Sequence, residues 1–294
     1  MKHALKWYPA QRSQEQELMD DTLSDPTLLG RTLNQFSLIN LLFSRMRGLV
    51  RQFILDDIIA SGPHREGTPI SVLDVGAGAC DIPLWLLAEA RKKGLHLEIT
   101  CLDHDPRVAD YARRRTAREP AITIQEGSAL EISQPFDYIM ANHLLHHLTE
   151  TDIALFLDRS YQACRRRLLL NDLLRSYWSL AGFSLFGALF LHRSFARADG
   201  TLSIRRGFRP DELKQLLDHS PWRSASTGQG TPHPLTLLGR RIPGRVFLVA
   251  DRRSCGGPSP IPRTTIPRTT TVPGQRQDPC ADERGDSPQP RVPR

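Results

Sequence analysis

Residues 72–83 read VLDVGAGACDIP. A short apolar run enters a turn holding Gly76 and Gly78, with Asp74 two positions ahead of the first glycine and Pro83 just beyond. Glycine reaches positive φ without a steric penalty and lets a ligand come close to the main chain, so the stretch reads as a buried strand turning sharply into a helix. This constrains the fold more than any other segment. A strand apolar on both faces belongs to a parallel sheet covered by helices on both sides.

The flanking sequence supplies those layers. Leu38, Leu41, Leu42, Met46, Leu49, Val50, Phe53 and Ile54 recur at spacings of three and four, so residues 1–60 are expected to be helical, ended by Gly62 and Pro63. Ile70–Val75 reads as strand one, and Ile82–Lys93 as a helix with Pro83 in its first turn and Gly94 after its end. Leu95–Leu102 is a second strand, Pro106 to about Arg118 a helix, Ala121–Gln125 a third strand and Phe136–Ala141 a fourth. Thr149 with Asp152 resembles a capping box that starts a helix through Arg165; Arg167–Leu170 is a fifth strand and Arg245–Asp251 the closing one. The expected fold class is α/β, a doubly wound, mostly parallel sheet, with ligands bound beyond the carboxyl ends of its strands.

Composition limits the rest. Five cysteines without CxxC spacing suggest neither a disulfide framework nor a zinc site and fit a reducing cytosol. The N-terminus lacks an apolar secretory stretch. Of the net charge of +7, residues 252–294 carry +4, from eight arginines and four acids, and the remaining charges are interspersed. Nucleic acid is therefore not expected as a partner. Residues 253–294 hold nine of the 22 prolines and a tandem IPRTT repeat, too little apolar surface to offset chain entropy, so this tail is expected to be disordered.

Two ligands compete for the glycine turn. A dinucleotide motif G-x-G-x-x-G needs glycine where Asp81 stands, and a carboxylate there faces a pyrophosphate with like charge. S-adenosyl-L-methionine (SAM) instead brings an ammonium, a sulfonium and a nucleoside. An acid ahead of the glycines favours those cations. VLDVGAGACDIP resembles motif I of the class I SAM-dependent methyltransferases, with Cys80 at the third glycine position and Asp74, Gly76 and Gly78 in place.

Further segments follow in the family's order. CLDHDP places Asp103, next to His104, where the family's acid holds both ribose hydroxyls, with Asp105 as the fallback; a carboxylate suits a diol because it accepts two hydrogen bonds. EGSALEI places Ser128 and Ala129 near the adenine, and FDYIMANHLLHHL resembles the strand-four exit that faces the methyl group, with Asn142 on the cofactor side. The resemblance implies a seven-stranded, Rossmann-like methyltransferase fold. Its parts are an N-terminal helical cap (1–66), a methyltransferase domain (67–252) and a helical lid after strand five (about 173–207).

The strand-four exit also carries His143, His146 and His147. His143 and His147 share a helical face, but no glutamate completes H-E-x-x-H, so no metal is expected. Methyl transfer needs a base only where the nucleophile must lose a proton; His146 or His147 is the expected base, with Asn142 orienting the acceptor. Tyr177–Leu191 is almost wholly apolar, yet shorter than the roughly 20 residues of a membrane span. It reads as a buried helix pair or as a lid over an apolar substrate, resting against a membrane surface in the second case. GRTLNQFSLINLLFSR, NDLLRS, TLSIRRGF and FRPDELKQLL resemble quinone-type and type III polyketide-linked methyltransferases. That resemblance implies a lipophilic phenolic, quinone-like or polyketide acceptor, methylated on oxygen or carbon; the cysteine usage makes a cytoplasmic enzyme the expectation. The alternatives are an NAD(P)-dependent oxidoreductase, disfavoured by Asp81 and by the lack of a Tyr-x-x-x-Lys pair, and a non-catalytic partner subunit of the same fold.

Overall fold

The run Ile70–Val75 forms strand β1 at the centre of a six-stranded sheet. A computed structural model of the protein describes residues 11–62, 69–224 and 244–252. On one side of β1 lie β2 (Leu97–Asp103) and β3 (Ile122–Glu126); on the other lie β4 (Phe136–Asn142), β5 (Cys164–Leu173) and β6 (Arg245–Asp251), in the order β3-β2-β1-β4-β5-β6. All neighbours pair in parallel except β5 and β6. The chain winds outward from β1 in one direction and from β4 in the other, so the doubly wound expectation holds and the switch point lies between β1 and β4. Six strands rather than seven stand among the described residues; 225–243 fall outside them, as does the tail expected to be disordered.

Alternate side chains along each strand enter opposite layers. Val72, Ile99, Tyr138, Met140 and Leu169 pack with Leu86, Leu87 and Ala90 of the helix Asp81–Lys92 and with the N-terminal Met46, Leu49, Val50, Ile54, Leu55 and Ile58. Leu73, Val75, Ile139, Ala141, Leu168 and Leu170 pack on the opposite face with Ile153, Phe156 and Leu157 of the helix Glu150–Ala163 and with Trp222. Each fully buried leucine or isoleucine contributes about 1.5–3 kcal/mol. The cap read from sequence is present: Thr149 Oγ1 accepts from the Asp152 amide at 3.1 Å. The helix it starts ends at Ala163 rather than Arg165, and β5 begins at once, longer than the stretch Arg167–Leu170. Arg167 lies within the strand because Asp57 and Asp251 take its charge.

The N-terminal apolar repeat is not one continuous helix. The helix Pro26–Ile39 passes into a π-helical turn, Asn40–Ser44; Arg45 adopts the left-handed conformation (φ 58°), and short helical pieces continue to Ala60. Ser44 sets the break, its hydroxyl donating to the Asn40 carbonyl at 2.7 Å and accepting from the Met46 amide at 3.1 Å. The break turns Asn40 and Phe43 toward the carboxyl ends of the strands. After β5, helices α1 (Tyr177–Phe190) and α2 (Ala196–Arg206) cover the same end. They pack so closely that a Cβ on Gly200 would lie 2.3 Å from the Phe183 ring. Among the described residues no helix is long and apolar enough to cross a membrane.

Candidate active site

The ends of β1, β2 and β4 are level, since Val75 pairs with both Leu102 and Ala141. They floor a cavity of about 1290 Å³ walled by the N-terminal segment, α1 and α2. Asp74, Gly76, Gly78, Asp103, His104, Ser128, Ala129, Asn142, His146 and His147, all singled out in the sequence, line it. Pockets for one drug-sized ligand run to about 300–1,000 Å³, so this one has room for two.

Its first half is the turn after β1. Gly76 (φ 69°) and Gly78 (φ 53°) take the positive angles expected of them, and Cys80 follows at φ 56°, a left-handed residue that does without glycine. The turn amides are spent inside the protein. Gly76 and Ala77 donate to the Leu102 carbonyl at 2.8 and 3.3 Å, and Gly78 donates to Asp103 Oδ2 at 3.0 Å. Asp103 Oδ1 accepts from the Asp105 amide at 3.2 Å, so its carboxylate ties the two strand ends together at the cavity edge. Asp105 is occupied elsewhere: it caps the next helix through the Arg107 amide and pairs with the Arg107 guanidinium at 2.7 Å. Ser128 Oγ accepts from the Leu130 amide at 3.1 Å, and His104 projects outward beside Asp103.

Three carboxylates crowd this half. Burial, and then the charges of Asp81 and Asp103, push Asp74 well above the usual carboxylate range. Burial also raises Asp81 and Asp103, against their hydrogen bonds. Asp81 Oδ1 accepts from Asn40 Nδ2 at 3.2 Å, while its buried Oδ2 has no hydrogen-bond partner. Clustered acids with unspent lone pairs, beside amides that are already used, suit a cationic ligand and repel a phosphate. The residues present therefore fit SAM and not a dinucleotide.

The second half is lined by aromatic rings. Phe36, Phe43, Phe183 and Phe186 line it, and the rings of Phe43 and Phe186 meet edge to face at 4.8 Å. A chain of amides leads in from Asp81: Asn142 Nδ2 donates to Asn40 at 3.3 Å, and Asn171 Nδ2 donates to Asn142 at 2.7 Å. Asn142 is thus fixed between the halves.

The histidines differ from one another. His143, held at φ 61°, is drawn down by burial and then by Arg245, whose guanidinium donates to its Nε2; it stays neutral with that lone pair in use. His146 is buried. Burial opposes its charge, but Asp172, 2.7 Å from Nδ1, and then Glu17 lift it to about 9. Against the pull of its burial, the hydrogen bond and charge of His146, with His147 and the Ser203 hydroxyl, hold Glu17 at about 2. His146 is therefore a cation at neutral pH, which runs against the expectation that it takes a proton. His147 is half-buried, with Nδ1 3.2 Å from Asp20 Oδ2.

Sequence reasoning missed Glu17, Asp20, Asn40, Asp172 and Arg245. Glu17 and Asp20 are brought in by a segment strapped across the cavity. Arg12 and Arg206 donate to the His146 carbonyl at 3.4 and 3.0 Å, and the Leu18 and Met19 amides donate to Asp199 at 2.8 and 3.0 Å. No local pattern announces such partners beyond the three acids at positions 17, 20 and 21.

A sheet of this topology, with an acidic glycine turn at its switch point, is a Rossmann-like fold whose ligand crevice lies at the ends of β1 and β4. Residues 72–167 match the family model of a methyltransferase domain. That segment, from β1 into β5, is the part of the chain that matches a methyltransferase domain. No curated protein matches the sequence. Among solved structures it is similar to the plantazolicin methyltransferase BpumL in complex with SAH, at 15% identity over 81% of this chain and 95% of that one, TM-score 0.53. The same enzyme with a monoazolic desmethylPZN analog and SAH matches at 14% identity over 75% and 89%, TM-score 0.51. Magnesium protoporphyrin IX methyltransferase (ChlM) from Synechocystis PCC 6803 with bound SAH gives 15% identity over 70% and 83%, TM-score 0.44. At these identities the likeness is one of fold.

Proposed function

We propose that the protein transfers the methyl group of SAM to an oxygen or carbon of a lipophilic small molecule of phenolic, quinone-like or polyketide type. The observation that carries this reading is one cavity in which the buried Asp74 and Asp81 and the half-buried Asp103, around the turn after β1 and the end of β2, adjoin an aromatic chamber under α1. When bound, SAM supplies a methyl group on a sulfonium; the acceptor's electron pair forms the new bond, the C–S pair stays on sulfur, and S-adenosylhomocysteine and one proton result.

The chain's own residues align and desolvate the reactants, which is worth about 7–11 kcal/mol when geometry is well set. Asp103 accepts from the ribose diol with the lone pairs that Gly78 and Asp105 leave free. Asp74 and Asp81 face the ammonium and sulfonium. Ser128 and the Ala129 backbone border the adenine, and Asn142 holds the boundary between the ligands. The lid, about 173–207, excludes water over the acceptor. The acceptor's proton leaves toward the Glu17–His147 side, since His146 already holds both of its own.

Calorimetric titration of the full chain with SAM, S-adenosylhomocysteine and NADH tests the reading. Micromolar binding of the first two and none of the third is expected. Binding of NADH alone would establish the oxidoreductase alternative, and no binding of any would leave the non-catalytic subunit.

A further inference from the structure

Glu17, His146 and His147 meet at the cavity wall. Nε2 of His146 lies 3.6 Å, and Nε2 of His147 3.9 Å, from the same oxygen, Glu17 Oε1. All three donor atoms lie within 4.8 Å of one another. The far nitrogen of each ring is held by a carboxylate: His146 Nδ1 by Asp172 at 2.7 Å, His147 Nδ1 by Asp20 at 3.2 Å. A carboxylate on Nδ1 fixes the tautomer whose Nε2 lone pair points the other way and makes that nitrogen a stronger donor, the arrangement that surrounds metal-binding histidines. Ser203 Oγ donates to Glu17 Oε1 at 2.7 Å and orients it, which leaves that oxygen a second lone pair.

We propose that Glu17, His146 and His147 form a binding site for a divalent ion of the zinc class, with its open position facing the acceptor half of the cavity. Two imidazoles and one carboxylate are a donor set that zinc takes in open, three-ligand sites. At bonds of about 2.0–2.1 Å, tetrahedral donor atoms stand about 3.3 Å apart, so the two Glu17 contacts need to shorten by roughly 0.3–0.6 Å and the imidazole nitrogens by at most about 1.5 Å, shared between two side chains. Glu17 and His146 are each 2% exposed, which fixes two of the three ligands in the core. A plain ion pair between Glu17 and His146 does not call for a second imidazole aimed at the same oxygen, nor for a second carboxylate behind it. Binding displaces the proton that His146 otherwise shares with Glu17. The H-E-x-x-H test fails here because the carboxylate comes from the N-terminal strap rather than from the same helix.

On the methyl-transfer reading, on which this consequence alone rests, the open position takes a hydroxyl oxygen of the acceptor and lowers its pKa, as zinc lowers that of bound water to about 7. With Glu17 and His147 then serving as ligands, the hydroxyl proton leaves to solvent water instead of to them. The acceptor class narrows to phenols and enols methylated on oxygen.

The test uses the full chain, stripped with chelator and titrated with zinc alone and then cobalt alone. One equivalent of zinc should bind with submicromolar affinity, and cobalt should give the visible absorption of a low-coordinate nitrogen–oxygen site. Glu17→Gln and His147→Gln should each weaken zinc at least tenfold while SAM still binds in the same samples. If Glu17→Gln does not fold, Asp20→Asn, which loosens His147 from behind, should cost about tenfold. Absence of stoichiometric binding, or equal affinity in the folded variants, overturns the site. SAM binding in those same titrations reports separately on the methyltransferase reading.

Discussion

The two halves of the cavity are built in different ways. The cofactor half comes mainly from one stretch of chain, Asp74 to Asp105, folded as strand, turn, helix and strand, with Ser128 and Ala129 added after β3 and Asn40 reaching in to Asp81; its turn is tied to the end of β2 within that stretch. The acceptor half is assembled from the strap near residues 12–20, the broken helix at Asn40 and Phe43, the exit of β4, the end of β5, and α1 with α2. One half is a motif; the other is a meeting of remote segments. The first can therefore be held constant while the second changes its ligand, and substitutions in the two halves should separate into effects on SAM and effects on the acceptor.

The largest expected effect lies in the cofactor half. Asp103→Ala removes the acceptor of the Gly78 and Asp105 amides along with the proposed ribose contact. Charge-assisted hydrogen bonds of this kind are worth about 1.5–3 kcal/mol, so the Kd for SAM should rise about ten- to a hundredfold by calorimetry. An unchanged Kd would hand the ribose to Asp105, against the Arg107 pairing that occupies it.

This asymmetry also accounts for what could be read from the sequence. The alternation of strands and helices, the glycine turn, Thr149 as a cap and the set Asp74, Gly76, Gly78 and Asp103 follow from patterns a few residues long, and those four residues line one cavity. The break at Arg45 did not follow, because apolar spacing is the same in an α-helix and in one interrupted by a single left-handed residue. The charge on His146 did not follow either. It depends on Glu17 and Asp172, and no periodicity links residues so far apart. Asn142 was legible as a boundary residue, but its partners Asn40 and Asn171 were not.

A second, smaller effect is a pH dependence confined to the cofactor half. Burial raises Asp74 above the ordinary carboxylate value of roughly 4. A carboxyl raised on folding stabilises the ligand-free fold at low pH, and that contribution is lost as pH rises through the folded pKa. A cationic ligand needs the ionised form, so SAM affinity should fall as pH drops through the raised pKa, by at most tenfold per unit. Titrations in buffers of different ionisation enthalpy should detect proton release on binding. An affinity flat from neutral pH down to 5, without proton release, would remove Asp74 from the cation site. An Asp74→Asn variant that kept the slope would move the titration to Asp81.

The smallest effect belongs to the acceptor half and tests whether the halves are separate at all. Phe186 meets Phe43 at 4.8 Å and Phe190 at 5.0 Å, and it lines the cavity from α1. Phe186→Ala removes one aromatic wall and its ring pairs, worth about 1 kcal/mol toward an apolar acceptor, so KM for a phenolic acceptor should rise roughly fivefold. The Kd for SAM should not move, because no wall of the cofactor half depends on this ring. A matched loss in both constants would mean that α1 closes over the two ligands as one lid, and the division into a local motif and a remote assembly would then describe how the cavity is built but not how it binds.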